Sequence, residues 1–374
     1  MTAALGQNQR WGLWGCAGLY CSQSRGYFKE AEATARSVDV KESNANDNSY
    51  ATGRVKFWGE TIGLHPLKLR MQQAKIAIRG EENVPASQYD LSSLRQLRPD
   101  LAFPLWRGKQ KVKNKVIISN LFNHTQTPID QGWSVRVTQA QDFRGRNLTY
   151  DSHNGTDYAV PIGTTLLAAA PGKVIKVISE FNRGGLKIYI DHGHGLITCC
   201  AHLARAKVKE GDVVRRAQPI AITGYSGLDG LITFPFGIPH THCNVWLNGS
   251  PVDPFPYEDE NGKQVSLYRA GELPLPYRAE ECKTVESAFA PSNFDGAAVK
   301  EVLDNCLTEA TREKLNSYTD LYQRASHTIC EKNYYPTRFA VHCNMYDKEY
   351  PRTPLLDLPF YSHVFDGIVF SDAI

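Results

Sequence analysis

No stretch of this 374-residue sequence comes near the roughly 18 consecutive apolar residues that a membrane-spanning helix requires. It has no Cys-x-x-Cys pair, which argues against a zinc ribbon and against thioredoxin-type chemistry. An excess of charge of one sign is lacking too. With a net charge of +3, nothing calls for a nucleic-acid partner, although an anionic polymer stays compatible as a substrate. The N-terminus makes a poor secretion signal, because only Arg10 precedes a short, glycine-rich apolar stretch from Trp11 to Leu19. Internal repeats are absent. The cysteine count is odd, at nine, so at least one thiol is unpaired within the chain. Cys282, Cys306, Cys330 and Cys343 could form two bridges in an oxidising compartment or remain buried thiols in a reducing one.

What is present suits a globular protein. Hydrophobic residues make up 42% and charged residues 22%, and the length allows two or three domains. Residues 1–95 are mixed and carry no legible chemistry, so an accessory region or lid is expected. The segment holds a polar loop at Ser43–Ser49 and helical spacing over Leu67–Arg79 and Leu91–Leu97, the latter after a capping Asp90. From about residue 100 the pattern turns to strands. Val112–Phe122, Trp133–Val137, Thr164–Ala170, Lys173–Ile178, Leu186–Ile190, Leu196–Ala201, Val213–Val214, Pro219–Thr223 and Cys243–Leu247 are short apolar runs, many of them punctuated by glycine. Such spacing predicts a mainly β domain, an antiparallel sheet or sandwich, over 100–258. A proline-rich linker is expected over 259–280. Helical spacing over Ala297–Arg324 predicts a small helical C-terminal appendage within 281–374.

Three histidine-bearing segments stand out within the β region: His153-Asn154-Gly155-Thr156-Asp157, Ala201-His202-Leu203 and His240-Thr241-His242. On a strand, residues two apart share a face, so His240 and His242 project together, and one can bind a metal while the other stands beside it. Gly155 allows a turn that folds His153 and Asp157 onto the same ion. Two imidazoles and one carboxylate leave a fourth tetrahedral position open, as in a catalytic zinc site. Zinc would polarise a peptide carbonyl and bring the pKa of its water towards about 7, giving a nucleophile, while His202 and His240 could move the proton or hold the oxyanion.

These segments resemble the M23 metallopeptidases, the lysostaphin- and LytM-like endopeptidases that cut peptide cross-links in bacterial peptidoglycan. The likeness runs from His153-Asn154-Gly155-Thr156-Asp157 through Ala168-Ala169-Ala170-Pro171-Gly172, Asp191-His192-Gly193, Thr198–Leu203, Thr223-Gly224-Tyr225-Ser226-Gly227 and Pro239–His242 to Val252-Asp253-Pro254. It implies a LytM-like fold in which one zinc ion per chain is held by His153, Asp157 and His242. His202 and His240 are then the catalytic pair, peptidoglycan peptides the substrate, and the bacterial envelope or the exterior the place of action. The same likeness puts His192 and His194 in a solvent-facing turn.

The sequence departs from the family pattern at Cys200, where an aromatic is usual, at Asn244, where an acid is usual, and in the apolar loop Leu228–Ile238, which is expected to border the groove. Cys199, Cys200 and Cys243 read as packing residues. Two other readings stand beside the endopeptidase. One is a non-catalytic relative that binds wall or regulates an amidase, and the other is a zinc peptidase acting on peptides outside the wall.

Overall fold

The computed structural model describes residues 55–256, 265–279 and 289–374, all within a compact unit spanning 49–374. The N-terminal signal and polar-loop readings, and Cys282, lie outside the described residues.

Alternating side chains build the centre of the molecule. The strands are β1 (Lys115–Asn120), β2 (Thr156–Ala159), β3 (Thr165–Leu167), β4 (Gly172–Glu180), β5 (Gly185–Asp191), β6 (Leu196–Ala206), β7 (Val213–Val214), β8 (Pro219–Thr223), β9 (Thr241–Leu247), β10 (Ser250–Pro251) and β11 (Gly367–Phe370). They join in one sheet with the order β11-β1-β2-β9-β6-β5-β4-β7, while β8 pairs with β6 and β3. All the pairings are antiparallel except β1 with β11. The mainly β expectation is met, with this one parallel edge added.

Successive residues of β5 show why both faces are covered. Ile188 and Ile190 enter the main core, and Tyr189, on the opposite face, enters a second one. Both faces are buried, so apolar residues fill both positions of the alternation. The main core packs β1–β9 against Phe255, Leu267, Tyr268 and the segment Leu356–Phe365. Leu267 and Tyr268 fall within the expected linker, and their burial ties that stretch to the domain. Helices α4 (Gly296–Asp304), α5 (Glu309–Asn316) and α6 (Leu321–Tyr334) cover the second face with Val299, Val302, Leu303, Leu315, Ala325 and Ile329. The C-terminal residues thus contribute more than the expected helical appendage, because β11 returns to the sheet edge. The helical spacing over Ala297–Arg324 is realised as separate helices, with breaks at Cys306 and Tyr318, and Asp295 caps the first through the Ala297 and Ala298 amides.

Two helices precede the sheet, α1 (Leu67–Arg79) and α2 (Pro99–Trp106), with a 3-10 turn Leu91–Gln96 between them. Arg70 on α1 donates to Ser179 of β4, at 2.9 Å to its carbonyl and 2.8 Å to its hydroxyl. Trp133–Val137 does not form the expected strand. Its only ladder contact is a parallel bridge between Ser134 and Gln88, and the Asp151 carboxylate takes the Thr138 and Gln139 amides that a neighbouring strand would otherwise bond. Among the described residues no helix is long and apolar enough to cross a membrane.

Candidate metal centre

Three segments meet where β2 and β9 pair. His153 lies just before β2, Asp157 is its second residue, and Asp157 stands opposite His242 in the ladder. His242 Nδ1 is 2.7 Å from Asp157 Oδ1 and 3.1 Å from His153 Nε2, and His153 Nε2 is 3.1 Å from the same oxygen. A tetrahedral ion with bonds of about 2.0–2.1 Å spaces its ligands about 3.3 Å apart, so this triangle has the size of one face of a zinc coordination shell. Among the described residues this is the one cluster of three His, Cys, Asp or Glu side chains able to share an ion.

Two of the remaining polar atoms of the triad have partners of their own. His153 Nδ1–H donates to the Leu121 carbonyl at 2.6 Å, which fixes the tautomer and turns the Nε2 lone pair inward. Asn120 donates to Asp157 Oδ2 at 2.9 Å and leaves Oδ1 for the triad. A register shift between Ile118 and Asn120 brings Asn120 opposite Asp157.

Gly155 serves a different purpose from the one the sequence suggested. A Cβ there would sit 2.8 Å from His242 Nε2 and 2.7 Å from the Cys243 carbonyl, so glycine is required by close approach and not by an unusual turn. Burial raises the pKa of Asp157, but the charges of His153 and His240 and hydrogen bonds from His153 and His242 outweigh it, so the carboxyl lies well below its usual range. His242 is held below its ordinary value by burial, which favours the neutral imidazole that binds metal.

The other two histidines stand alongside. His240 Nδ1–H donates to the Ile238 carbonyl at 2.8 Å, and its Nε2 lies 3.6 Å from Asp157 Oδ1. His202 Nδ1–H donates to the Ser226 carbonyl at 2.8 Å. Each ring therefore keeps Nε2 as the nitrogen free to take a proton. The rings are 5.0 Å apart, with Tyr225 packed at 5.2 Å from His202 and 4.8 Å from His240. His202 has φ +60°, left-handed for a non-glycine residue, where β6 carries one more residue than its partner β5. This bulge aims the ring out of the ladder. Burial, with the field of His240 added, lowers the His202 pKa to about 3.

All five residues expected to form the site come together. His192 does not behave as expected. It is buried, with Nδ1–H donating to the Pro171 carbonyl and Nε2 accepting from the Thr198 hydroxyl, both at 2.8 Å, and only His194 of that turn is exposed. Cys200 faces the main core opposite Cys243 and is not part of the groove, and Cys199 faces the second core. Asn244 donates to Asn154 and accepts from the Tyr334 hydroxyl, so the place of an acid is taken by an amide link to α6.

The centre opens into a groove of about 720 Å³. Tyr89 and Leu94, from the N-terminal region that showed no chemistry in sequence, form part of its wall. The loop Leu228–Ile238 does border it, through Ile232 and Phe236, and contains helix α3 (Leu228–Thr233). Asn333 and Tyr334 bring α6 to the wall from the C-terminal side. Sequence reasoning missed Asn120, the part played by Tyr225, and the walls at Tyr89, Leu94, Asn333 and Tyr334. Of them only Tyr225 had a signal, inside the Thr223–Gly227 motif.

Residues 151–254 match the model of Peptidase family M23. The chain therefore carries an M23 peptidase domain, built around this centre. Among curated proteins it is similar to the peptidoglycan DD-endopeptidase ShyB of Vibrio cholerae, 38% identical over 178 residues, 46% of this chain and 39% of that protein. ShyA from the same organism, also named a peptidoglycan DD-endopeptidase, is 33% identical over 131 residues, 34% of this chain and 28% of that protein. The chain thus spans less than two-fifths of these relatives' length. A solved zinc-containing peptidase from Vibrio cholerae shares 30% identity, covering 38% of each chain at a TM-score of 0.27.

Proposed function

We propose that this protein is a zinc-dependent endopeptidase that hydrolyses peptide bonds in the stems or cross-links of peptidoglycan, working in the bacterial cell envelope or outside the cell. The observation that carries this reading is the convergence of His153 Nε2, Asp157 Oδ1 and His242 Nδ1 to within about 3 Å of one another, each turned inward by a partner or by its strand. The donor set fits zinc, since two neutral imidazoles and one ionised carboxylate leave a position open for water or substrate. When bound, zinc supplies Lewis acidity that polarises a peptide carbonyl and acidifies a water. The names of ShyB and ShyA support peptidoglycan as the substrate.

The protein's own groups supply the rest. His240 Nε2, beside Asp157, is placed to take a proton from the attacking water and to pass one to the leaving amine. His202 Nε2, across from it and unprotonated, is placed to accept from the attacking water, and once it has taken a proton it can hydrogen-bond the oxygen that gains charge as the carbonyl becomes tetrahedral. Tyr225 packs against both rings and fixes their separation. The Ile238 and Ser226 carbonyls hold each ring in the tautomer the reaction needs. Tyr89, Leu94, Ile232 and Phe236 leave exposed apolar surface along the groove wall, which offers contact to a bound peptide.

The test is digestion of purified peptidoglycan by the intact protein, by a zinc-chelated sample and by His240→Ala. New amino termini are expected from the intact protein, with His240→Ala slower by about a hundredfold or more. Equal release from all three would refute the reading, and mass spectra of the fragments would name the bond.

A further inference from the structure

The turn between β4 and β5 runs Phe181-Asn182-Arg183-Gly184, and it is clamped to the segments that carry His202. The Gly184 carbonyl accepts the His202 amide at 2.7 Å, and the Phe181 carbonyl accepts the Leu228 amide at 2.8 Å. Gly184 and Gly185 both have positive φ, and a Cβ on Gly185 would meet the Ser226 carbonyl oxygen at 2.2 Å. Arg183 therefore sits on a fixed turn. Its half-buried guanidinium lies 5.3 Å over the Trp133 ring and lines the groove together with His202, His240 and Asp157.

This arginine is left without an acceptor. Among the described residues, every other buried or half-buried arginine donates to a carboxylate, a carbonyl or a side-chain oxygen. Arg70, Arg98, Arg144, Arg216, Arg338 and Arg352 are examples. Arg183 donates to none. Glu180, at the end of β4, is held instead by Lys187 at 2.6 Å, and Asp229, whose field also reaches Arg183, forms no ion pair with it. Burial with no anion in contact lowers the Arg183 pKa. A planar, stacked guanidinium held on a rigid turn and short of its acceptors suits a carboxylate, which it can bind in bidentate fashion.

We infer that Arg183 is a specificity-determining residue that binds a carboxylate of the peptide substrate, close to the bond that is cut. The inference rests on the endopeptidase reading above. The carboxylate is either the free α-carboxylate at a chain end or one on a branching residue.

The test uses the full chain, zinc-loaded, and a purified cross-linked muropeptide dimer. Two derivatives of the dimer accompany it, one amidated at its terminal carboxylates and one at its branch carboxylates. For the wild type, kcat/KM should fall about ten- to hundredfold on one of the two amidations, which names the source of the carboxylate. Arg183→Gln should lower kcat/KM for the parent dimer by a similar factor, mainly through KM, and leave that for the sensitive derivative unchanged. Arg183→Lys should recover part of the loss. Zinc content and Tm should match the wild type.

Equal losses for the parent and for both derivatives, or no loss, would overturn the assignment while leaving the endopeptidase intact. If the wild type cleaves no dimer, the endopeptidase reading fails on its own, and calorimetric binding of the same dimers then decides on Arg183. Tighter binding of the parent dimer that is lost in Arg183→Gln sustains the inference, and equal or absent binding ends it.

Discussion

Asn120 holds one oxygen of Asp157 and so leaves the other for metal. Replacing it with alanine should weaken zinc binding by about ten- to hundredfold without unfolding the protein, as measured by competition with a chromogenic chelator. Gly155→Ala should do more harm, since its Cβ would meet both His242 and the Cys243 carbonyl, and loss of bound zinc in the purified variant would report it. His192 gives the molecule a pH signature outside the centre. Burial lowers its pKa to about 4, while the unfolded chain titrates near 6.5. The unfolded state thus binds more protons between these values, so the contribution is complete above about pH 6.5 and is lost as pH falls towards 4. It amounts to about 3 kcal/mol, and His192→Gln should flatten the denaturation midpoint over that window. At this scale the residues that converge were legible and their supports were not. His153, Asp157, His202, His240 and His242 sit in short motifs whose spacing carries the chemistry. Asn120 and Leu121 lie more than 30 residues before His153 and join the centre through a bulge in β1 that leaves no local mark. His192 looked like a turn residue because its burial comes from Pro171 and Thr198, brought to it by the fold.

At the level of elements, the strands from β3 to β9 follow the sequence closely, because glycine turns delimit short apolar runs and both sheet faces are buried. Trp133–Val137 had the alternation of a strand, but its amides go to the Ser152 and Ser92 hydroxyls and the Gln88 carbonyl and form no ladder. The helical character of the C-terminal region was legible, but the breaks at Cys306 and Tyr318 were not, because helical spacing continues through them. Helix α6 matters to the groove as well as to stability. Its Ile329 is fully buried against the sheet, and its last residue, Tyr334, reaches Asn244, two residues from His242. Ile329→Ala should cost about 2–5 kcal/mol, read as a lower midpoint in chemical denaturation. An unchanged midpoint would mean that α6 is not part of the cooperative core.

Taken as a whole, the molecule places its chemistry on one face of a single sheet and builds the groove from both ends of the chain. Tyr89 and Leu94 come from the N-terminal side, Asn333 and Tyr334 from the C-terminal side, and the M23 domain supplies the floor. No composition or local pattern reveals that these walls meet, which is why the flanking regions carried no readable role in sequence. If His153, Asp157 and His242 bind one zinc ion on which peptide hydrolysis depends, activity must follow zinc occupancy. Zinc should be titrated into chelated protein while release of amino termini from peptidoglycan is followed. Activity should rise linearly and saturate at one zinc per chain, and Asp157→Ala should neither bind the ion nor recover activity. Full activity in the chelated protein, or restoration of Asp157→Ala by one equivalent of zinc, would contradict that dependence.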